Sequence, residues 1–508
     1  MFSFEQITAT VSSWVWGTGL VALCLLSGLF FSILTRFVQV RRFKEMCKLL
    51  FTDNKSRNIG ISSFQAFAMA LSGRVGTGNI VGVATAIGYG GPGAIVWMWI
   101  IAFLGAGSAF VEATLAQIYK VEHNGEFRGG PSYYAEKGLK SKWIGILFAI
   151  SALVACGFLM PTVQSNSIAT AFEDSLNIRP LFIGLTIAAI LALVIIGGVG
   201  RIAKVAQIVA PFMAIIYVVL AIIILIVNYQ AVPGVISDLF SSAFGTNAIF
   251  GGIMGSAISY GVKRGIYSNE AGQGTGPIVA AAANVSHPVK QGLVQAFSVY
   301  VDTLLVCTMT AVMVLATKCY NVIDPTTGEY LFSGALTKFG LGEPDVKFTT
   351  AAVGTLLGHK WGGIIISFAL AFFSFTTILA YYYYAETSAV YLFGKGRIER
   401  TTIWILRLSI LTATVMGAVW GVKTAWNLGD IGVGIMAWIN IIVILLLSPK
   451  AIRALKDYEK QKRNGVSDPV FNPSELGIKG ADYWEKKQQF SPPTSDLSSS
   501  QEKSSNRI

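Results

Sequence analysis

The sequence predicts an all-α integral membrane protein, and three observations carry that expectation. Of 508 residues, 53% are hydrophobic and only 13% charged, against roughly a quarter charged in a soluble globular chain. Charge-free stretches run through residues 6–35, 143–172, 205–237 and 361–385, each long enough to cross a bilayer as a helix. They are continuous, unlike the weak alternating segments of an outer-membrane barrel. Finally, most of the cations behind the net charge of +12 lie in loops between apolar runs. They report topology rather than a basic face for nucleic acid.

Apolar runs of about 20 residues place eleven spans near residues 13–35, 62–88, 92–119, 143–170, 180–199, 204–228, 250–284, 291–316, 361–385, 402–420 and 429–448. The transmembrane unit is thus expected over 1–448: an extra helix at 13–35, one set of spans over 62–228 and a second over 250–448. With the N-terminus outside, 29 of the 39 Lys and Arg residues fall in inside segments, six outside and four (Arg74, Lys263, Arg264, Arg407) within spans. Leaving out the tail, the split is still 18 to six, so the positive-inside rule places the N-terminus outside and the C-terminus in the cytoplasm. Only Glu5 is charged before the first apolar run, so that run reads as a retained helix, not a secretory signal.

Five cysteines (Cys24, Cys47, Cys156, Cys307, Cys319) form no CxxC pair, which leaves a disulfide framework or zinc module unsupported. The tail, 449–508, mixes eleven cations with eight anions and becomes rich in Ser, Pro and Gln near its end. It is expected to be partly disordered. Lys450–Arg463 reads as a solvated juxtamembrane charge run in preference to a membrane-surface helix.

The second and seventh spans are each interrupted by a polar, glycine-rich stretch, Ser72–Asn79 and Ser268–Pro277. Gly76-Thr77-Gly78-Asn79-Ile80-Val81 and Gly274-Thr275-Gly276-Pro277-Ile278-Val279 agree at five of six positions. Irregular backbone at membrane depth is tolerated only where it is buried in protein or lines a watery cavity. Half-helices starting near Asn79 and Pro277 offer amides and a positive dipole end to a carboxylate. Those ending before the breaks offer carbonyls to a small cation. The plain structural reading is close packing of small residues. Two related stretches, each leading five spans, favour a binding site, and an odd number of crossings inverts one set relative to the other. That is the organisation of secondary transporters.

The run Arg74–Ile87 followed by Gly90-Gly91-Pro92-Gly93-Ala94, together with Gly129-Gly130-Pro131, Val163–Ala169 and Arg264–Gly272, resembles the signature of the alanine or glycine:cation symporter family. The resemblance spans about residues 10–450. It implies a leucine-transporter-type core of ten helices plus one N-terminal helix, in a bacterial or archaeal-type cell membrane, coupling sodium entry to amino-acid uptake.

Under that reading, Gly76, Thr77, Gly78 and Asn79 are expected to hold the substrate carboxylate, while carbonyls around Gly272 and Gly274 accept from its ammonium. Gln164 is the preferred side-chain contact, since it lies in a motif resembling the family's binding helix. Asn166 reads equally well as an interhelical hydrogen bond. For sodium, a hard ion that suits oxygen, the resemblance points to Thr376 and Thr377 beside Phe373, with Ser374 nearby, joined by carbonyls around Val75. The plain alternative is a hydroxyl bonded back to its own helix.

Glu112, Glu270 and Asp302 are expected to pair with Arg74, Lys263 or Arg264, because an unpaired charge at this depth is costly. Arg74, beside the first break, either attracts the carboxylate or closes the path. Tyr381–Tyr384 gate the pocket or pack against it. Relatives associated with alanine often show Gly-Trp where this chain has Ala380-Tyr381, so glutamine stays open beside alanine and glycine. The expectation is a sodium-coupled symporter for a small neutral amino acid, working as a monomer in the bilayer, with sodium as coupling ion and no organic cofactor. One rival is a proton-coupled carrier using the intramembrane carboxylates. A channel is another. An enzyme is disfavoured, since His123, His287 and His359 form no HExxH pattern and no nucleotide-binding loop is present.

Overall fold

In the computed structural model, residues 3–51, 59–247, 249–334 and 342–489 are described. Among them, eight helices are long and apolar enough to cross a membrane. These are α1 (Phe4–Leu34), α4 (Gly93–Ile118), α5 (Lys142–Leu176), α7 (Gly198–Val227), α10 (Pro288–Ala316), α11 (His359–Phe393), α12 (Gly396–Val419) and α13 (Val422–Arg463). The three other expected spans are the interrupted pairs α2 (Ser63–Arg74) with α3 (Val83–Gly90) and α8 (Met254–Asn269) with α9 (Gly276–Ala282), and the shorter α6 (Pro180–Ile195). Two hairpins, β1 (Val121–His123) with β2 (Glu126–Arg128) and β3 (Asn321–Ile323) with β4 (Tyr330–Ser333), sit in the connections.

Local chemistry sets several boundaries. At the start of α1, Gln6 N–H donates to Ser3 Oγ and Ser3 N–H to Gln6 Oε1, a capping box that begins the helix well before residue 13. Ser62 and Gln65 repeat this at α2. Proline occupies the first turn of α6, α9 and α10, where its missing N–H costs nothing. At the other end of the chain α13 does not stop at residue 448: it continues through Pro449 to Arg463.

The packing relates the two sets of spans. The α2/α3 pair packs on the α8/α9 pair, α4 on α10, α5 on α11 and α6 on α12. Four of the five spans of the first set therefore meet their counterparts in the second, in keeping with a two-fold relation between the sets, while α7 packs on α2, α11 and α10. The fold is that all-α membrane arrangement. Large apolar side chains such as Leu193, Ile208 and Leu408 point outward, about 70% exposed each, which suits lipid. Polar side chains concentrate around the breaks, where Thr77, Asn79, Gln164, Asn269, Gln273 and Asp302 are all buried.

Among the described residues, three helical stretches widen into π-helix, at Gly78–Gly82, Ala155–Leu159 and Tyr300–Cys307. Such segments commonly mark functional sites, and the first and third hold Asn79 and Asp302.

Candidate functional site

The first break is short. The helix ends at Arg74, Val75 takes an extended conformation, and winding resumes at Gly78. Side chains from three directions take up the freed backbone groups. Gly76 N–H donates to Asn79 Oδ1 at 2.9 Å and Thr77 N–H to Gln164 Oε1 at 3.0 Å. Thr377 Oγ1, on α11, lies 2.8 Å from Ser72 O, 3.2 Å from Val75 O and 3.0 Å from Phe373 O. Thr77 Oγ1 meets Ser374 Oγ at 2.9 Å. A Cβ on Gly76 would sit 2.5 Å from Thr377 Oγ1 and 2.9 Å from Gln164 Oε1, so only glycine allows this approach.

The second break is longer. Glu270, Gly272 and Gly274 all have positive φ, and winding resumes at Gly276. Gly272 N–H donates to Glu112 Oε1 at 3.2 Å. Asn440 Nδ2, on α13, bridges Glu112 Oε2 at 2.8 Å and Gly272 O at 2.9 Å. Tyr384 OH donates to Glu270 Oε2 at 3.2 Å, while Glu270 Oε1, Gln273 Oε1 and Thr275 Oγ1 are buried without a hydrogen-bond partner. The two breaks touch: a Cβ on Gly78 would meet Ser268 Cα at 3.2 Å.

Asp302 joins both halves. Its Oδ1 accepts from Asn79 Nδ2 at 2.7 Å, and its Oδ2 from Ser268 Oγ at 2.8 Å and Thr303 Oγ1 at 2.7 Å.

With this geometry in place, the comparisons decide the family. The profile of the sodium:alanine symporter family matches residues 1–473. The chain belongs to the sodium:alanine symporter family. It is 54% identical over 481 residues to a putative sodium/proton-dependent alanine carrier of Bacillus subtilis, covering 95% of this chain and 98% of that one. To the sodium/proton-dependent alanine carrier of Bacillus sp. strain PS3 it is 49% identical over 437 residues, 86% and 96% of the two chains. To a probable sodium/glutamine symporter of Bacillus subtilis it is 41% identical over 468 residues, 92% and 93%. Membership of the sodium:alanine symporter family makes this a multi-pass membrane transporter, a symporter and not an enzyme.

For this symporter-family member, the residues singled out from sequence fall into distinct groups. Gly76, Thr77, Gly78, Asn79, Gln164, Val75, Phe373 and Thr377 meet around the first break. Gly272 lies at the second break with Glu112, whereas a Cβ on Gly274 would press on Phe148 and Pro131 at 2.8 Å, away from the first break's cluster. Thr376 donates to Phe373 O of its own helix at 2.9 Å, the plain alternative considered for it. Asn166 Nδ2 donates to Gly417 O and Trp420 O, an interhelical bond. The four tyrosines of 381–384 diverge: Tyr384 reaches Glu270, Tyr382 OH accepts from Arg407 Nε, and Tyr383 lies under Arg128.

The expected direct ion pairs are not made among the described residues, although Arg74 lies close enough to Glu112, Glu270 and Asp302 to interact with each. Arg74 forms no ion pair within 4 Å among the described residues; it donates to Gln295 O at 3.2 Å and to Ser298 Oγ, leaving Nε and Nη2 without hydrogen-bond partners. Amide and hydroxyl donors hold Glu112 and Asp302 instead. Lys263 and Arg264 both pair with Asp430, Lys263 at 2.7 Å and Arg264 through both nitrogens at 3.0 and 2.9 Å, with Trp426 stacked on the guanidinium. Sequence reasoning missed Asp430. The signal was an acid just inside the last span, opposite two adjacent cations in the seventh.

Proposed function

We propose that the chain couples inward sodium movement to uptake of a small neutral amino acid, alanine or glycine with glutamine open, by alternating access around the two breaks. The observation that carries this reading is the convergence on Thr377: its hydroxyl and the carbonyls of Ser72, Val75 and Phe373 gather oxygens between α11 and the first break. Oxygen donors without a thiolate or imidazole suit a hard monovalent cation. Sodium held by Val75, Phe373 and Thr377 would order Gly76–Asn79, where a substrate carboxylate would take the place of Asn79 Oδ1 and Gln164 Oε1 as acceptor of the Gly76 and Thr77 amides. The second break, at Gly272 and Gly274, supplies the opposite pole for the ammonium. Differential affinity of sodium for the two access states is what couples the movements.

In this reading residues 1–448 form the transporter unit, a single copy suffices, the N-terminus lies outside and the tail is cytoplasmic. Arg264, Lys263 and Asp430 then lock the outer side, and Arg74, Glu112, Glu270 and Asp302 tune the passage between the breaks. A second reading, in which a proton travels with or in place of sodium, draws on Glu270, whose Oε1 is buried without a hydrogen-bond partner at the start of the second break. Uptake of radiolabelled alanine and glutamine into proteoliposomes, under a sodium gradient, a pH gradient or neither, separates these. Accumulation that needs sodium supports the first reading; accumulation driven by the pH gradient alone overturns it in favour of the second.

A further inference from the structure

The ends of the two broken helices farthest from the Asp430 lock are tied to each other. Ile61 N–H donates to Ala282 O at 3.1 Å, and Asn284 N–H returns a bond to Ile61 O at 2.9 Å. The next carbonyl, Ala283 O, accepts from Gln117 Nε2 and Lys120 Nζ, both at 2.9 Å. Lys120 is fully buried, and its ammonium is boxed by the rings of Phe127, Tyr483 and Trp484 at 4.1, 4.8 and 5.3 Å from their centroids. Two of those three rings come from the segment that follows α13.

That segment is folded onto the transporter over its described length. Trp484 is 1% exposed and its indole N–H donates to Gln117 O at 2.8 Å. Phe471 is equally buried, and its N–H donates to Ser286 O at 3.1 Å. Lys290–Asp468 and Lys137–Asp482 ion pairs pin it near either end. The strap thus grips the two residues that grip Ala283.

We propose that residues 466–489 form an inner latch: docked, they hold Gln117 and Lys120 against the Ala283 corner and keep the inner ends of α2 and α9 together, and they lift before the site opens to the cytoplasm. This rests on the transport reading above. Separating the two ends breaks the Ile61 bridge, and Ala283 stays anchored from a third side while Lys120 remains boxed. Withdrawing Tyr483 and Trp484 hydrates the ammonium, which then exchanges the carbonyl for water. The Asp468 and Asp482 side chains are about half exposed, so salt on the cytoplasmic side weakens the latch.

The test uses the full chain with Ile61→Cys as reporter in a Cys47→Ser background, Cys47 being the one half-buried thiol of the five. In inside-out vesicles the rate of reaction with a membrane-impermeant maleimide reads opening of the inner end. Trp484→Ala is expected to raise that rate at least about fivefold, the low end of coupling between linked sites, while Trp484→Phe, which keeps a ring, stays near the parent. An equal or lower rate in Trp484→Ala overturns the latch. If Trp484→Ala does not fold, the Asp468→Asn, Asp482→Asn pair is read by the same criteria. Sodium-dependent alanine uptake by the parent is measured alongside; its absence sinks the transport reading, and the labelling ratio still decides the latch.

Discussion

The two breaks share five of six residues along their aligned stretch and are built differently. At the first, Asn79, Gln164 and Thr377 take up the amides and carbonyls that unwinding frees. At the second, three glycine or left-handed positions give a longer unwound turn, and Glu270, Gln273 and Thr275 each keep a buried oxygen without a partner. A buried unpaired polar atom costs about 1–3 kcal/mol. The contrast teaches that similar sequence produced a closed oxygen cluster in one place and an open set of polar groups in the other, with neighbouring helices making the difference. In a symporter, the closed cluster fits a tightly held ion, and the open set fits a solute or proton that comes and goes.

The contrast can be broken most severely at Gly76. A Cβ there meets Thr377 and Gln164 together, and overpacking of ~1–3 kcal/mol acts on ion and solute alike. Gly76→Ala is expected to cut sodium-driven uptake by about a hundredfold, with the protein still monodisperse in detergent. Full activity would show that the first break is looser than described. Next in size, Thr377→Ala is expected to raise the half-saturating sodium concentration about tenfold, the equivalent of one lost hydrogen bond or ligand. Thr376→Ala, whose hydroxyl serves its own helix, should leave it within about twofold. Equal shifts in both would dissolve the distinction between them.

At the second break, Glu270→Gln keeps the shape and removes the charge. Sodium half-saturation is expected to hold, while any stimulation of uptake by an imposed pH gradient disappears. A changed sodium dependence would instead join the two breaks into one cation site.

The smallest effect concerns the corner after α9. His287 caps α10 by accepting from Val289 N–H at Nδ1, and its Nε2 faces Asp457 Oδ2 at 3.2 Å, an arrangement that needs the neutral ring. Burial lowers its basicity despite the pull of Asp457. A depressed imidazole stabilises the corner fully above its ordinary range and loses that contribution as pH falls through and below it. Thermal stability in detergent should therefore drop on acidification from about pH 7 to 5.5, less so in His287→Gln. An identical pH profile would remove His287 from the corner's stability.

Much of this was legible in the sequence because bilayers enforce simple rules. The eleven runs and both breaks follow from hydropathy and from the cost of unsatisfied peptide groups in lipid. Gln164, Thr377 and Asn79 could be placed near the first break by their resemblance to a family motif. The pairing of Arg264 with Asp430 and of Tyr384 with Glu270 was not legible, because each joins residues more than a hundred positions apart whose meeting depends on helix rotation. Lys450–Arg463 read as a solvated charge run. In the structure it extends α13, with Ala451, Ala454, Leu455 and Tyr458 buried. Charge density alone hid that apolar stripe, and Trp484 with it. The expected disorder near the end of the tail falls on residues 490–508, outside the described residues.

The wide helical turns at Gly78–Gly82 and Tyr300–Cys307 carry a further consequence. One additional residue in ordinary winding would rotate everything beyond it by about 100° around the helix axis, and the widened turn absorbs it. Asn79 and Asp302 each lie inside such a turn and meet at 2.7 Å. Deleting a single residue from either would restore ordinary winding and displace the side chains inside the turn, Asn79 or Asp302, from their present partners. A lineage that shed one of these extra residues would keep its hydropathy profile intact while misaligning the contact between its two halves.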